Sequence, residues 1–324
     1  MSFYIGNVCI PSRAVLAPMA GMSDSVFRTI AMKQGAGMVT SELLSANAII
    51  RNSEKTYNML PTNNEPRPSA AQIFGGEINV MRDAAVLLDC RECDIIDLNY
   101  GCPVSKVTKT GGGAAVLKDF DKAVAMAKAV VSSVSKPVTV KIRIGWDRKS
   151  INAIEMVHAL EDVGVACVTI HGRTVSQGYS GLADWAIIKQ AAKSVQIPII
   201  GNGDIRTASE AVDRLNWSGC AAVMLGRGAL SAPWLFRSFN DLQKGVEPYK
   251  PSPFDIVDLV TVHFKGLVAN YSEKAAVKKM RTWLGYYSKG FAGSSKFREM
   301  ANKIEDAEAL KKHIAQFFGS VQSN

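Results

Sequence analysis

The sequence predicts an α/β fold: a (β/α)8 TIM barrel followed by a small all-helical C-terminal domain. Three observations carry this. Eight short runs rich in Val, Ile and Leu recur through roughly the first 240 of 324 residues. Helical patterns lie between the runs. After Asp241 the strand-like runs stop.

The runs occupy 14–20, 37–42, 69–75, 94–101, 137–145, 166–172, 198–204 and 221–228. They are continuously apolar rather than alternating, as in strands buried on both faces. Between the fourth and fifth, Phe120, Ala123, Val124, Ala127, Val130, Val131 and Val134 fall at steps of three and four, with Asp119 or Asp121 placed to cap the helix. Segments from Asp24, Asn79, Ala153, Asp184 and Thr207 read the same way. Eight strand–helix units make a barrel. A doubly wound sheet shares the alternation, but it usually places phosphate glycines after its first strand, and here the glycine loops come last.

Residues 244–254 contain three prolines and read as a linker. Ser252-Pro253 has the form of a helix N-cap followed by Pro at the first helical position. Ile256, Val257, Val260, Phe264 and Leu267 form one apolar stripe, and Ala307, Leu310, Ile314 and Phe317 form another. The expected units are therefore 1–243 and 250–324. Within 264–298, eight basic residues (Lys265, Lys274, Lys278, Lys279, Arg281, Lys289, Lys296, Arg298) stand against one acid, Glu273. Trp283, Tyr286, Tyr287, Phe291 and Phe297 are interleaved with them. Charge alone describes a solvated helix face; charge with aromatics points equally to nucleic acid.

With 47% hydrophobic and 21% charged residues, the composition excludes disorder, a collagen-like repeat and a disulfide scaffold. The formal net charge of +9 suits a polyanionic partner. Six cysteines are too sparse for a disulfide framework and indicate a reducing compartment. Cys90-Arg-Glu-Cys93 has no second pair and no His partner, so it reads as packing rather than a zinc or redox site. The N-terminus lacks a basic n-region, and Pro11 and Arg13 interrupt its apolar run. No stretch approaches about 18 apolar residues. A cytoplasmic, metal-free monomer without a membrane span is expected.

In a barrel, function gathers at the C-terminal strand ends. There the chain carries Pro18, Met19, Ala20 and Gly21; Gln72; Asn99 through Pro103; Lys141 and Arg143; His171 and Arg173; Asn202, Gly203 and Asp204; and Gly226, Arg227 and Gly228. The last two loops are glycine-rich and neighbours in a closed barrel. Glycine lets backbone N–H groups approach an anion, so these loops are assigned to phosphate, with Arg227 assisting. Lys141 suits either a Schiff-base nucleophile or a fixed charge beside a flavin. Gln72 and Asn99 can hydrogen-bond a planar heterocycle or serve as satisfied interior amides. Cys102, where the chain turns into the mouth, is either a small hydrophobe or an acid–nucleophile.

Taken together, the segments 17–24 (APMAGMSD), 70–75 (AAQIFG), 97–107 (DLNYGCPVSKV), 111–119 (GGGAAVLKD), 140–146 (VKIRIGW), 169–174 (TIHGRT), 202–205 (NGDI) and 226–230 (GRGAL) resemble the flavin-dependent tRNA dihydrouridine synthases of the bacterial B-type branch. They run in family order over nearly the whole barrel, and 281–291 resembles the family's helical domain. The resemblance implies FMN-dependent reduction of selected tRNA uridines, with NADPH as reductant. It implies FMN contacts from Pro18, Met19, Ala20, Gln72, Asn99, Lys141, Asn202, Gly203, Asp204, Gly226 and Arg227, with His171 beside the flavin or its phosphate. Hydride would reach carbon-6 of uracil from the flavin, and Cys102 would protonate carbon-5 from the opposite face. A loop hinged at Gly111-Gly112-Gly113 would close over an extruded base. Arg143, Arg173, Lys278, Lys279 and Arg281 are candidates for holding RNA. The competing readings are an FMN enzyme acting on a free pyrimidine, as dihydroorotate dehydrogenase does, a flavin-free aldolase using Lys141, and an RNA-binding protein with a vestigial barrel.

Overall fold

The computed structural model describes residues 1–320; the last four residues of the expected helical unit lie outside the described part. A hairpin, β1 (Phe3–Ile5) and β2 (Val8–Ile10), precedes the barrel. The barrel strands follow: β3 (Ala14–Leu16), β4 (Val39–Thr40), β5 (Leu44–Ser45), β6 (Ser69–Phe74), β7 (Ile95–Tyr100), β8 (Val138–Arg143), β9 (Cys167–His171), β10 (Ile199–Asn202) and β11 (Ala222–Leu225). The sheet runs β3-β11-β10-β9-β8-β7-β6-β4, all in parallel ladders, with β5 also on β6. The Leu16 N–H donates to the Met38 carbonyl at 2.9 Å and draws the two ends of the sheet together.

All eight expected strands are present. The second is split into β4 and β5, because the Ser41 hydroxyl, not a backbone carbonyl, accepts the Gln72 N–H at 3.0 Å. The hairpin was not expected from sequence. Its signal is Gly6-Asn7, with Gly6 at φ +56° turning the chain. Ile5 and Ile10, both fully buried, cluster with Val15, Ala70, Ile95, Cys167, Ile200 and Ala222 and plug the N-terminal end of the barrel.

The helices in chain order are α1 (Ser25–Lys33), α2 (Ala46–Ile50), α3 (Glu54–Tyr57), α4 (Ile78–Asp89), α5 (Ser105–Thr108), α6 (Phe120–Val131), α7 (Ala153–Asp162), α8 (Trp185–Ser194), α9 (Ala208–Ser218), α10 (Arg227–Ser231) and α11 (Leu235–Gln243). Asp24, Asp119, Asp184 and Thr207 each cap a helix by accepting a backbone N–H. Thr207 and Glu210 form a reciprocal capping box. The outward strand residues, among them Ile73, Leu98, Ile142, Ile170, Val223 and Leu225, pack under these helices in one buried core.

Beyond the linker, Ser252 caps α12 (Pro253–Asn270), with Pro at the start and Asp255 closing a second capping box. Then come α13 (Glu273–Tyr287), α14 (Ser294–Ala301) and α15 (Ala307–Ser320). Ile256, Val260, Phe264 and Leu267 are buried as expected; in α15 Phe318 is the fully buried ring and Phe317 only partly so. The α12–α13 pair seats on α1: Phe27 lies 4.4 Å from the Trp283 ring, which also meets His263 at 4.6 Å and Tyr287 at 5.7 Å. Asp24 joins the same seam, accepting from Lys279 at 3.1 Å and from the Tyr271 hydroxyl at 3.3 Å.

Trp283 is 1% exposed, so truncation leaves a large void between barrel and helices. Trp283→Ala is expected to lower stability by about 3–5 kcal/mol in urea unfolding, whereas Trp217→Ala, at an exposed ring, should stay within about 0.5 kcal/mol.

Candidate active site

Successive strand residues point to opposite faces, so every second residue of each barrel strand points inward. At the N-terminal end the inward side chains are apolar. Moving toward the C-terminal ends they become Gln72, Asp97, Asn99, Thr139, Lys141, Thr169, His171 and Asn202. The ladders place Gln72 beside Asp97, Asp97 beside Thr139, Asn99 beside Lys141, and His171 beside Asn202. Of these, Gln72, Asn99, Lys141, His171 and Asn202 open into a cavity of about 400 Å³ at the barrel mouth. Its lining includes all of Pro18, Met19, Ala20, Gln72, Asn99, Cys102, Lys141, Arg143, His171, Asn202, Gly203, Asp204, Gly226 and Arg227.

One corner is built from the loops after β10 and β11. Among the described residues, the backbone N–H groups of Gly203, Asp204, Gly226 and Arg227 have no acceptor within the chain. Gly228 lets the two loops meet: a Cβ there would sit 2.7 Å from the Ile205 carbonyl oxygen. Asp204 takes φ +52°, held by its carboxylate, which accepts from Arg173 at 2.7 and 2.8 Å and from the Ala183 N–H at 2.8 Å. Burial alone would raise this carboxyl; the Arg173 and Ala183 hydrogen bonds and the charges of Arg173 and Arg227 bring it below the ordinary range. The exposed Arg227 guanidinium lies 3.5 Å from Asp204. Such a corner, amide donors with a cation beside them, suits a phosphate.

The opposite wall is an interior chain of polar groups. Asp97 accepts from the Thr139 hydroxyl at 2.5 Å and from Gln72 Nε2 at 2.6 Å. Gln72 Oε1 accepts from Asn99 Nδ2 at 2.8 Å, and Asn99 Oδ1 accepts the Gly101 and Cys102 N–H groups at 3.1 and 2.8 Å. Burial pushes the Asp97 carboxyl up to about 6, opposed by Thr139, Gln72 and Lys141. Lys141 Nζ is 3.4 Å from Asn202 Oδ1. Burial, then Arg143, brings its ammonium down to about 8, while Asp97 and Cys102 act the other way. Cys102 is therefore electrostatic neighbour to Lys141 and Arg143 as well as part of the cavity wall. Burial and the charges of Lys141, Arg143, Arg173 and Arg227 hold His171 down to about 2, so it is neutral. Arg173 Nη1 lies 3.3 Å from His171 Nε2; since arginine only donates, the proton sits on Nδ1.

Several expectations need correction. Arg143 and Arg173, expected to hold RNA at the rim, are each 2% exposed. Arg143 donates to the Gly101, Thr174 and Gly178 carbonyls, and Arg173 to Ser180, Gly181 and Asp204. Both brace loops from inside. Lys279 is held by Asp24, and Arg281 donates to the Ile304 carbonyl, which leaves Lys278 as the exposed cation of that trio. The Gly111–Gly113 run is closely packed in this structure: a Cβ at Gly76 would sit 2.3 Å from the Thr110 carbonyl oxygen, and one at Gly113 would sit 2.9 Å from that of Cys102. Sequence reasoning missed three residues of the site. Asp97 sits within DLNYG and looks like a strand-end acid. Tyr179 is 63% exposed, with Arg143 and Arg227 at 5.7 and 5.0 Å from its ring centre. Tyr286 reaches the cavity from α13.

Lys141 gives a stability test. Its folded value lies below its ordinary value, so burying the charge costs stability at neutral pH. That cost is relieved as pH rises from about 8 toward 10.5. Lys141→Met should therefore be about 1–3 kcal/mol more stable than the unsubstituted protein at pH 7 and close to it at pH 10, in ligand-free chemical denaturation. An equal difference at both pH values would contradict the assignment.

A family model described as dihydrouridine synthase matches residues 15–322. A probable tRNA-dihydrouridine synthase of Rickettsia conorii is 39% identical over 319 residues, 98% of this chain and 96% of that one. The tRNA-dihydrouridine synthase B of Pseudomonas aeruginosa is 34% identical over 322 residues, 99% of this chain and 97% of that one. Among solved structures, an old yellow enzyme homologue from Zymomonas mobilis aligns with TM-score 0.52 at 11% identity, covering 78% of this chain and 94% of that one. A 6-hydroxypseudooxynicotine amine oxidase from Pseudomonas geniculata aligns with TM-score 0.56 at 14% identity over 81% of this chain, which spans about half (52%) of that larger protein. Those two likenesses concern the barrel fold alone. The match of the family model over nearly the whole chain, together with these near-full-length relatives, establishes that the chain belongs to the dihydrouridine synthase family.

Proposed function

We propose that this chain reduces selected uridines of tRNA to 5,6-dihydrouridine, with FMN as cofactor and NADPH as reductant. In this reading residues 1–243 form the catalytic domain and the helices from 250 onward form a tRNA-binding domain. One observation carries it: in a member of this family, the cavity brings a thiol, a phosphate-type corner and a wall of amide donors together at one barrel mouth.

The residues present fit FMN. The acceptor-free N–H groups of Gly203, Asp204, Gly226 and Arg227, with the Arg227 guanidinium, would hold its phosphate. Gln72, Asn99 and Lys141 would donate to the ring edge, and Pro18, Met19 and Ala20 would bound it, with neutral His171 nearby. Bound FMN, kept reduced by NADPH, would supply hydride chemistry at carbon-6 of uracil. Charge then builds toward carbon-5 and the carbonyl oxygen of uracil. Cys102, whose backbone is fixed by Asn99 on one side and by the Ala114 N–H on the other, would deliver a proton to carbon-5. A stacked base must leave the tRNA fold to enter the cavity, and Tyr179 offers an aromatic face at the entrance. Lys265, Lys274, Lys278, Lys289 and Lys296 are exposed and free to meet phosphates.

Purified protein should be yellow and release FMN on denaturation. tRNA binding should weaken steeply as salt rises. Cys102→Ala should retain FMN and tRNA binding yet form dihydrouridine about 10²–10⁴-fold more slowly, read by mapping dihydrouridine in tRNA. Turnover of free pyrimidines with salt-independent binding would replace this reading with a small-molecule reductase, and a colourless protein that cannot be reconstituted would remove the flavin.

A further inference from the structure

The chain of polar groups from Thr139 to Cys102 has fixed polarity at both ends. At one end, both oxygens of Asp97 are acceptors, Oδ2 for Gln72 Nε2 and Oδ1 for the Thr139 hydroxyl. At the other, the Gly101 and Cys102 N–H groups only donate. Two side-chain amides lie between, and an amide can turn either way. Only one arrangement satisfies both ends. Gln72 must give its NH2 to Asp97, which turns Oε1 toward Asn99. Asn99 must then give its NH2 to Gln72, which turns Oδ1 toward the loop.

A consequence for the cavity follows. Both amide oxygens are engaged inside the protein, Asn99 Oδ1 by two N–H groups and Gln72 Oε1 by one. Each amide nitrogen has two N–H bonds and uses one within the chain, so each keeps one free among the described residues. Gln72 and Asn99 line the cavity beside Lys141, which has donors only.

We propose that Asp97 is a positioning residue that sets the direction of every hydrogen bond on this wall, so that its two amides keep N–H groups for the ligand and the loop bearing Cys102 is held by an acceptor. The ligand edge this wall takes is built of acceptors: carbonyl oxygens and unprotonated ring nitrogens. The proposal rests on the reading above only for the ligand's identity.

A double-mutant cycle in ligand-free protein tests it. Asp97→Asn lets both amides turn, so Asn99 can present NH2 to the loop. Asn99→Asp leaves the Gln72 oxygen facing a carboxylate. Together the two substitutions move the carboxylate to the other end of the chain. The new amide at position 97 then donates to Gln72, Gln72 donates to the new carboxylate at position 99, and that carboxylate accepts the loop N–H groups. Each single variant should therefore speed hydrogen exchange at the Gly101 and Cys102 amides by about tenfold or more and lower the thermal midpoint. The double variant should lie closer to the unsubstituted protein than either single one. Additive losses, or an Asp97→Asn variant indistinguishable from the unsubstituted protein, would overturn the proposal.

The second readout is FMN titration of the apo-protein. The double variant should bind about tenfold or more weakly than the unsubstituted protein even where loop protection is restored, because a donor has become a carboxylate. Full recovery of FMN affinity would overturn the assignment of these amide N–H groups to the ligand. An unsubstituted protein that does not bind FMN, with the exchange cycle still closing non-additively, would sink the flavin reading and leave the relay standing.

Discussion

A closed parallel barrel has to fill its own interior, and here the filling changes chemistry along the axis. At the N-terminal end Ile5 and Ile10 of the hairpin meet Ala70, Ile95, Cys167, Ile200 and Ala222, and the interior is apolar. Further along the strands the inward positions carry Gln72, Asp97, Lys141, His171 and Asn202. Polar groups this deep are tolerable only when each has a partner. The Asp97–Gln72–Asn99 chain and the Lys141–Asn202 contact provide them. The site is the part of the barrel filling that leaves donors over after the interior has been satisfied.

This explains what the sequence revealed and what it concealed. The eight strands were legible because burial on both faces makes them continuously apolar, a pattern that needs no tertiary knowledge. The mouth residues were legible because period two puts strand-end polar residues inside a barrel. Arg143 and Arg173 were misread because an inward arginine and a rim arginine look identical in sequence. What separates them is whether the following loops fold back to offer carbonyls, as residues 174–181 do. The packing of the glycine run at 111–113 was hidden for a similar reason: its partner, Gly75-Gly76, lies on another loop.

The helical unit is tied to the site through the segment that follows β3. Met19, Ala20 and Met22 line the cavity, and five residues after Met19 comes Asp24, clasped by Lys279 and Tyr271. Phe27, in the first turn of α1, packs against Trp283 and His263. The same helix α13 sends Tyr286 into the cavity. A partner gripping the exposed lysines of this unit would therefore bear on a helix that touches the cavity directly.

The electrostatics of the mouth constrain what can occupy it. Burial, and then the charges of Lys141, Arg143, Arg173 and Arg227, keep His171 neutral, while Asp204 answers chiefly Arg173 and Asp97 lies beneath the opposite wall. Lys141 already registers part of this crowding as a lowered affinity for its proton. A dianionic phosphate at the Gly203–Gly226 corner would meet the exposed Arg227 guanidinium. An acceptor-rich ring against Gln72 and Asn99 would take the free donors, and a negative charge developing near Lys141 would restore that ammonium. A cationic ligand would do none of these, and a neutral one would take the amide donors alone. The surplus of positive charge and of donors thus favours an anionic, carbonyl-rich ligand before any question of its name arises.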